Sequence, residues 1–227
     1  MTRACIIGAG GLGGPIALAL AAAGWRLRVV DPDRVELSNL QRQIQFATAD
    51  IGQPKAAALA ALVRARHPGA SIEALDTRFE ASTADAITAG VDVVLDGTDD
   101  PATKFAVGDH AVARGLPCVI AGVLRYGGTV FAGAPDAACY RCLFEDPPGA
   151  DQAPSCADAG VLGAACAVIG GLAARAALGL ALDQRGAGTI TVVEDLRRGC
   201  RPRTIPFDPR PGCACGAARV HRTASTR

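Results

Sequence analysis

"RACIIGAGGLGGPIALALAAAGWRLRVVD", residues 3–31, decides the fold. Residues 3–7 form an essentially continuous apolar run, suited to a parallel strand buried on both faces. "GAGGLG" at 8–13 then fits G-x-G-x-x-G after a strand and at the opening of a helix. Glycines there permit a tight turn and let the backbone approach a phosphate at the helix N-terminus. Residues 12–23 read as an Ala/Leu helix closed by Gly24, and Leu27–Val30 begin the next strand. Asp31 ends that strand at the distance of a ribose-binding carboxylate, and Asp33 follows two residues on.

The alternation continues outward. Residues 53–67 read as a helix stopped by Pro68–Gly69, 71–76 as a strand, and 81–90 as a short helix with Ser82 as its N-cap. Residues 91–97 form another buried strand, 101–115 a helix with Pro101 at its first position, and 117–122 a strand. Strands alternating with helices predict an α/β, doubly wound, Rossmann-like and mainly parallel sheet, with its ligand at the carboxyl ends of the strands. The polar clusters Gly8–Gly13, Asp31–Gln43 and Asp96–Asp100 all fall at that edge.

The second part of the chain differs. Residues 124–133 resemble a strand or hairpin, 145–155 a Pro-rich loop, and 160–182 one long helix. Residues 188–196 and 203–207 supply further strands, an antiparallel extension of the sheet. We expect a single domain over 1–216 and a disordered, small and polar tail over 217–227.

Composition removes several function classes. A net charge of +1 gives no support for a nucleic-acid or membrane-surface partner, and 4% aromatics leave no stacking platform for bases. The helix at 160–182 has the length of a membrane span, but Cys166, Arg175 and its glycines predict a buried helix instead. No signal-like segment precedes the first strand, so a cytoplasmic location is expected. In a reducing compartment nine cysteines read as metal ligands, nucleophiles or core before disulfides. Cys5, Cys118 and Cys166 lie in apolar runs and read as core.

A glycine motif and an acidic residue fit a dehydrogenase and an adenylating enzyme equally. "DPDRVELSNLQRQIQF" at 31–46 separates them. A triphosphate calls for cations, amides and hydroxyls, with a carboxylate for magnesium. Asn39, Arg42 and Gln43 supply part of that set, Lys55 in "DIGQPKAA" a further cation, and Asp99 in "DGTDD" the metal carboxylate. "CYRC" gives Cys139 and Cys142 zinc-knuckle spacing, and Cys213 and Cys215 in "CAC" could complete four ligands. Cys200 is a substitute for the fourth; unliganded thiols or a redox pair are the alternatives.

"GAGGLG", "DPDRVELSNLQRQ", "DIGQPKA", "DGTDD", "CYRCL", "SCADAGVLG" and "CACG" stand in an order that resembles the ubiquitin-activating-like adenylyltransferases. The chain resembles the bacterial members that adenylate sulfur carriers for molybdopterin and thiamine biosynthesis. The resemblance implies that Gly8 and Gly10 lie against ATP and Asp31 binds the ribose. It implies that Asn39, Arg42 and Lys55 bind phosphates, Asp99 holds Mg2+, and the two cysteine pairs hold Zn2+. It further implies a homodimer, a ubiquitin-like sulfur-carrier partner ending in Gly-Gly, and release of pyrophosphate as an acyl-adenylate forms. Cys156 falls where some relatives carry a thiol that links to the carrier.

Three departures from the pattern accompany the resemblance. Relatives carry a helical segment before the first strand, with an arginine that reaches the partner subunit's ATP; here Arg3 or Arg125 would have to substitute. Asp100 stands where an Asn is common and adds negative charge beside the phosphates, and no sulfur-donor domain follows, so the donor is expected to be separate. The competing readings are a carrier-binding scaffold with impaired catalysis, a relative acting on a peptide C-terminus or a tRNA nucleoside, and a NAD(P)-dependent oxidoreductase.

Overall fold

The computed structural model describes residues 1–149 and 159–216. One eight-stranded sheet has the order β3-β2-β1-β4-β5-β6-β7-β8. Its parallel half comprises β1 (Arg3–Ile7), β2 (Arg26–Val30), β3 (Ile72–Leu75), β4 (Val93–Asp96) and β5 (Cys118–Leu124). β6 (Gly127–Gly133), β7 (Thr189–Val193) and β8 (Arg203–Pro206) extend it in antiparallel fashion. The connecting helices are α1 (Gly13–Ala22), α2 (Lys55–Arg66), α3 (Ala84–Thr88), α4 (Pro101–Arg114), α5 (Tyr140–Leu143) and α6 (Gly163–Asp183).

Period-two alternation explains why the central parallel strands read as apolar runs. Ala4, Ile6, Leu27, Val29, Val93 and Leu95 face the larger core, which also holds Leu20, Leu59 and Ile169 from α1, α2 and α6. Cys5, Ile7, Val30 and Val94 face the opposite layer with Ile87 of α3 and Val107 of α4. Both faces are covered, so β1 and β4 are buried along nearly their whole length, whereas β2 and β3 toward the sheet edge keep Arg26 and Glu73 exposed. α6 buries Ala165, Cys166, Ile169, Gly170, Ala173, Ala174, Ala177 and Leu180 at helical spacing. Its length and composition would suffice to cross a membrane, yet here this face packs on α1, β5 and β6.

Small corrections concern element ends. α3 starts after Thr83, not after Ser82, whose hydroxyl donates instead to Glu80 Oε1 at 2.8 Å. The long helix begins at Gly163, three residues later than expected, and ends in Gln184, whose φ is +59°. Arg3, offered as a substitute cation, opens β1 and donates to the Gly90 carbonyl at 3.3 Å. That puts it at the opposite end of the strand from Gly8, roughly 16 Å away along the strand direction. It does not serve the nucleotide edge.

The turn from β1 into α1 rests on two glycines. Gly8 has φ +91°, and an added Cβ at Gly13 would lie 1.8 Å from the Gly8 carbonyl oxygen. No side chain fits there without opening the turn. Gly13→Ala is therefore expected to cost at least ~1–3 kcal/mol in urea denaturation, as overpacking does; an unchanged midpoint would contradict the packing described.

Candidate active site

A cavity of about 620 Å³ opens at the carboxyl ends of the parallel strands, a volume that suits a nucleotide-sized ligand. Gly8, Gly10, Asp31, Asn39, Arg42, Gln43, Lys55 and Asp99 all line it. Segments 66 residues apart in sequence, at Asp33 and Asp99, thus meet at one sheet edge because β2 and β4 flank β1.

The glycine-rich turn is held from two sides. Asp31 is buried, and its carboxylate accepts the Ala9 N–H at 2.7 Å and the Asp33 N–H at 2.8 Å. Burial pushes its pKa up, while those two backbone donors and the Lys55 ammonium pull it down. Gln45 Nε2 donates to the carbonyls of Ala9 and Gly10, both at 2.9 Å. The polar run 31–46 is therefore not wholly a ligand set; Gln45 braces the loop. Gln43 is also buried but lines the cavity, and its Oε1 has no hydrogen-bond partner among the described residues. A buried, unsatisfied amide oxygen at a cavity wall is what a bound ligand or water would satisfy.

The 31–46 segment keeps its remaining polar groups in place by local bonds. A 3₁₀ turn at Leu37–Asn39 is closed by the Asn39 Oδ1, which accepts the Glu36 N–H at 3.3 Å. Arg42 Nη1 donates to the Ser38 carbonyl at 3.3 Å. Lys55 opens α2, is buried, and pairs through Nζ with Asp33 Oδ2 at 2.9 Å. The lysine therefore reaches the cavity already partnered, with an acidic neighbour that holds it against the wall.

Asp99 is exposed into the cavity. Asp100, read from sequence as added negative charge, caps α4: it accepts from Ala102 N at 3.3 Å, Thr103 N at 2.9 Å and Thr103 Oγ1 at 2.6 Å. Burial opposes ionisation, but the Thr103 and Ala102 donors together outweigh it and hold the carboxyl below the usual range. An Asn would cap equally, so the departure is neutral for the helix.

Several wall residues carried no sequence signal. Thr77, Arg78 and Phe79 follow β3 without any motif, Gly122–Leu124 end β5, Gly128 and Thr129 belong to β6, and Val161 forms a bridge to Arg125. Cys166 is buried as expected, but it also lines the cavity beside Gly11, whose added Cβ would sit 2.8 Å from its sulfur. Arg125, the other candidate cation, sits in the β5–β6 turn at this edge with φ +53°, hydrogen-bonded to Gly160 and Leu162. Cys156 and the tail 217–227 lie outside the described residues.

On the far side of α4, Cys139, Cys142, Cys213 and Cys215 bring their sulfurs within 4.8 Å of one another. Neighbouring sulfurs are 3.8, 3.5 and 3.5 Å apart. A tetrahedral Zn–S₄ site with 2.3 Å bonds needs sulfurs about 3.8 Å apart, so the quartet fits that ion. The short C-x-C pair reaches because Cys215 lies in a helical turn over 214–216, and the Arg210 N–H donates to Cys142 Sγ at 3.2 Å. Such a contact supports a thiolate ligand. Burial opposes ionisation at Cys213, but the Cys215 N–H and the neighbouring thiols pull it down to about 7. Cys200 is exposed and outside the quartet.

Asp100 gives a pH-resolved test. Its folded pKa lies below the unfolded value, so its stabilisation is present above the unfolded pKa and is lost as pH falls through the folded one. Asp100→Ala should cost ~1 kcal/mol at neutral pH. In urea titrations the gap from wild type should narrow as pH falls below about 4, where the ionisation-linked part is lost; a gap that does not change with pH there would contradict an ionised cap.

Comparison with known proteins agrees with this arrangement. The ThiF family model matches residues 1–209. The chain is 37% identical over 223 residues to the SAMP-activating enzyme E1 of Haloferax volcanii, covering 96% of this chain and 82% of that one. It is 38% identical over 214 residues to the sulfur carrier protein adenylyltransferase of Thermus thermophilus, covering 90% and 79%. The probable adenylyltransferase/sulfurtransferase MoeZ of Mycobacterium tuberculosis is 38% identical over 215 residues, which are 91% of this chain and 55% of that longer protein. A crystal structure of E. coli MccB with MccA-N7isoASN shares the fold at a TM-score of 0.79 and 18% identity, over 94% of this chain and 67% of that one. The chain belongs to the ThiF family of ubiquitin-activating-like adenylyltransferases.

Proposed function

We propose that this protein is an ATP-dependent adenylyltransferase that activates the C-terminal Gly-Gly carboxylate of a ubiquitin-like sulfur carrier. The observation that carries the reading is the meeting of Arg42, Lys55, Asn39 and Asp99 in one cavity with the glycine-rich turn. A nicotinamide has no use for two cations and a free carboxylate there, whereas a magnesium-bound triphosphate uses all of them. The carboxylate oxygen of the carrier attacks the α-phosphorus, the bond to the β-phosphoryl oxygen breaks, and pyrophosphate leaves. Asp99 would hold Mg2+ on the phosphates, a hard oxygen ligand for a hard cation. Catalysis is then positioning and charge stabilisation.

The same reading includes a homodimer and a separate sulfur donor in the cytoplasm. Leu37 and Ile44, 70% and 66% exposed beside the phosphate segment, are large apolar groups that a second copy would cover. The quartet Cys139, Cys142, Cys213 and Cys215 would hold a structural zinc.

Pyrophosphate exchange into ATP should require a carrier ending in Gly-Gly, and Asp99→Ala should abolish it. Exchange that survives Asp99→Ala, or that no co-encoded carrier supports, would overturn the reading. Purified protein should contain stoichiometric zinc by atomic absorption, and Cys213→Ser should lose it with a marked fall in Tm. A metal-free protein of unchanged Tm would contradict the zinc assignment.

A further inference from the structure

We infer that Lys104 is a positioning residue for Asp99, acting through a buried clamp at the end of β4; the inference rests on the adenylyltransferase reading for its catalytic consequence. Asp96, the last residue of β4, has a side chain with no solvent exposure. Lys104 lies in the first turn of α4, and its Nζ reaches three acceptors: Asp96 Oδ2 at 2.7 Å, the Thr98 carbonyl at 2.7 Å and the Ala121 carbonyl at 2.6 Å. An ammonium has three donors, and all three are used. The other Asp96 oxygen, Oδ1, accepts the Thr98 hydroxyl at 2.7 Å and the Thr98 N–H at 3.3 Å.

Thr98 is thus fixed at its amide, hydroxyl and carbonyl by one ion pair. On the other side of Asp99, Asp100 is fixed as the cap of α4. Asp99 is the single residue between two anchored neighbours, so its backbone has little freedom while its side chain stays exposed to the cavity. The bond to Ala121 also ties β5 to this assembly, immediately before Gly122 in the cavity wall. Lys104 therefore sets the distance between the β4 carboxylate and the β5 wall. A metal-binding carboxylate held this way loses little orientational freedom on binding.

The test separates positioning from stability. Lys104→Met should raise the Mg2+ concentration for half-maximal pyrophosphate exchange about tenfold, and hydrogen–deuterium exchange should quicken at residues 97–100. The double variant Asp96→Asn/Lys104→Met, which removes both buried charges, should recover Tm but not the Mg2+ requirement. Val63→Ala in α2, a core change away from the cavity, should lower Tm without moving either readout. If Lys104→Met does not fold, Thr98→Val removes one strand of the clamp and should move the same readouts in the same direction. Unchanged Mg2+ dependence with unchanged exchange at 97–100 overturns the inference. Wild-type protein inactive with every carrier would instead count against the functional reading, and the deuterium result would still decide whether Lys104 fixes the segment.

Discussion

Asp31 ties the molecule together. One oxygen accepts the Ala9 N–H and the other the Asp33 N–H, so a single buried carboxylate joins the turn after β1 to the end of β2. The turn has no side chains with which to hold itself, since its glycines are required where Gly8 and Gly13 approach. A loop built for backbone approach to a phosphate must take its rigidity from elsewhere. Asp31 and Gln45 supply it from opposite sides.

The cavity walls follow from that constraint. Once β1 and β2 are fixed to the turn, the parallel register brings the end of β4 alongside Ile7. Charges at this edge divide into those already satisfied and those left for a ligand. Asp33 and Lys55 neutralise one another, as do Asp96 and Lys104, while Asp99 carries no such partner among the described residues. A partly satisfied edge of this kind limits repulsion without ligand and leaves one carboxylate for a cation.

Residues 3–31 made the parallel half legible because buried-on-both-faces strands read as unbroken apolar runs, and Ile6 and Ile7 do face opposite cores. The clusters Asp31–Gln43 and Asp96–Asp100 were legible as site candidates because the topology predicts which strand ends face a ligand. Local cap chemistry was harder to read. Asp100 looks like an excess charge in sequence, but Pro101 at the next position marks it as an N-cap. Gln45 and Lys104 carry no motif; their roles depend on what lies across the cavity edge and appear only in three dimensions. Cys166 shows the same limit, since an apolar run cannot tell a core sulfur from one that also borders a cavity.

The central claim is that the carboxylate of a carrier is converted to an acyl-adenylate at this edge. Intact-protein mass spectrometry of a Gly-Gly carrier incubated with this protein, ATP and Mg2+ tests it most directly. The account predicts a carrier species heavier by one adenylyl group, trapped before sulfur transfer and absent when the carrier's terminal glycine is removed. A carrier of unchanged mass beside an unconsumed nucleotide would contradict it.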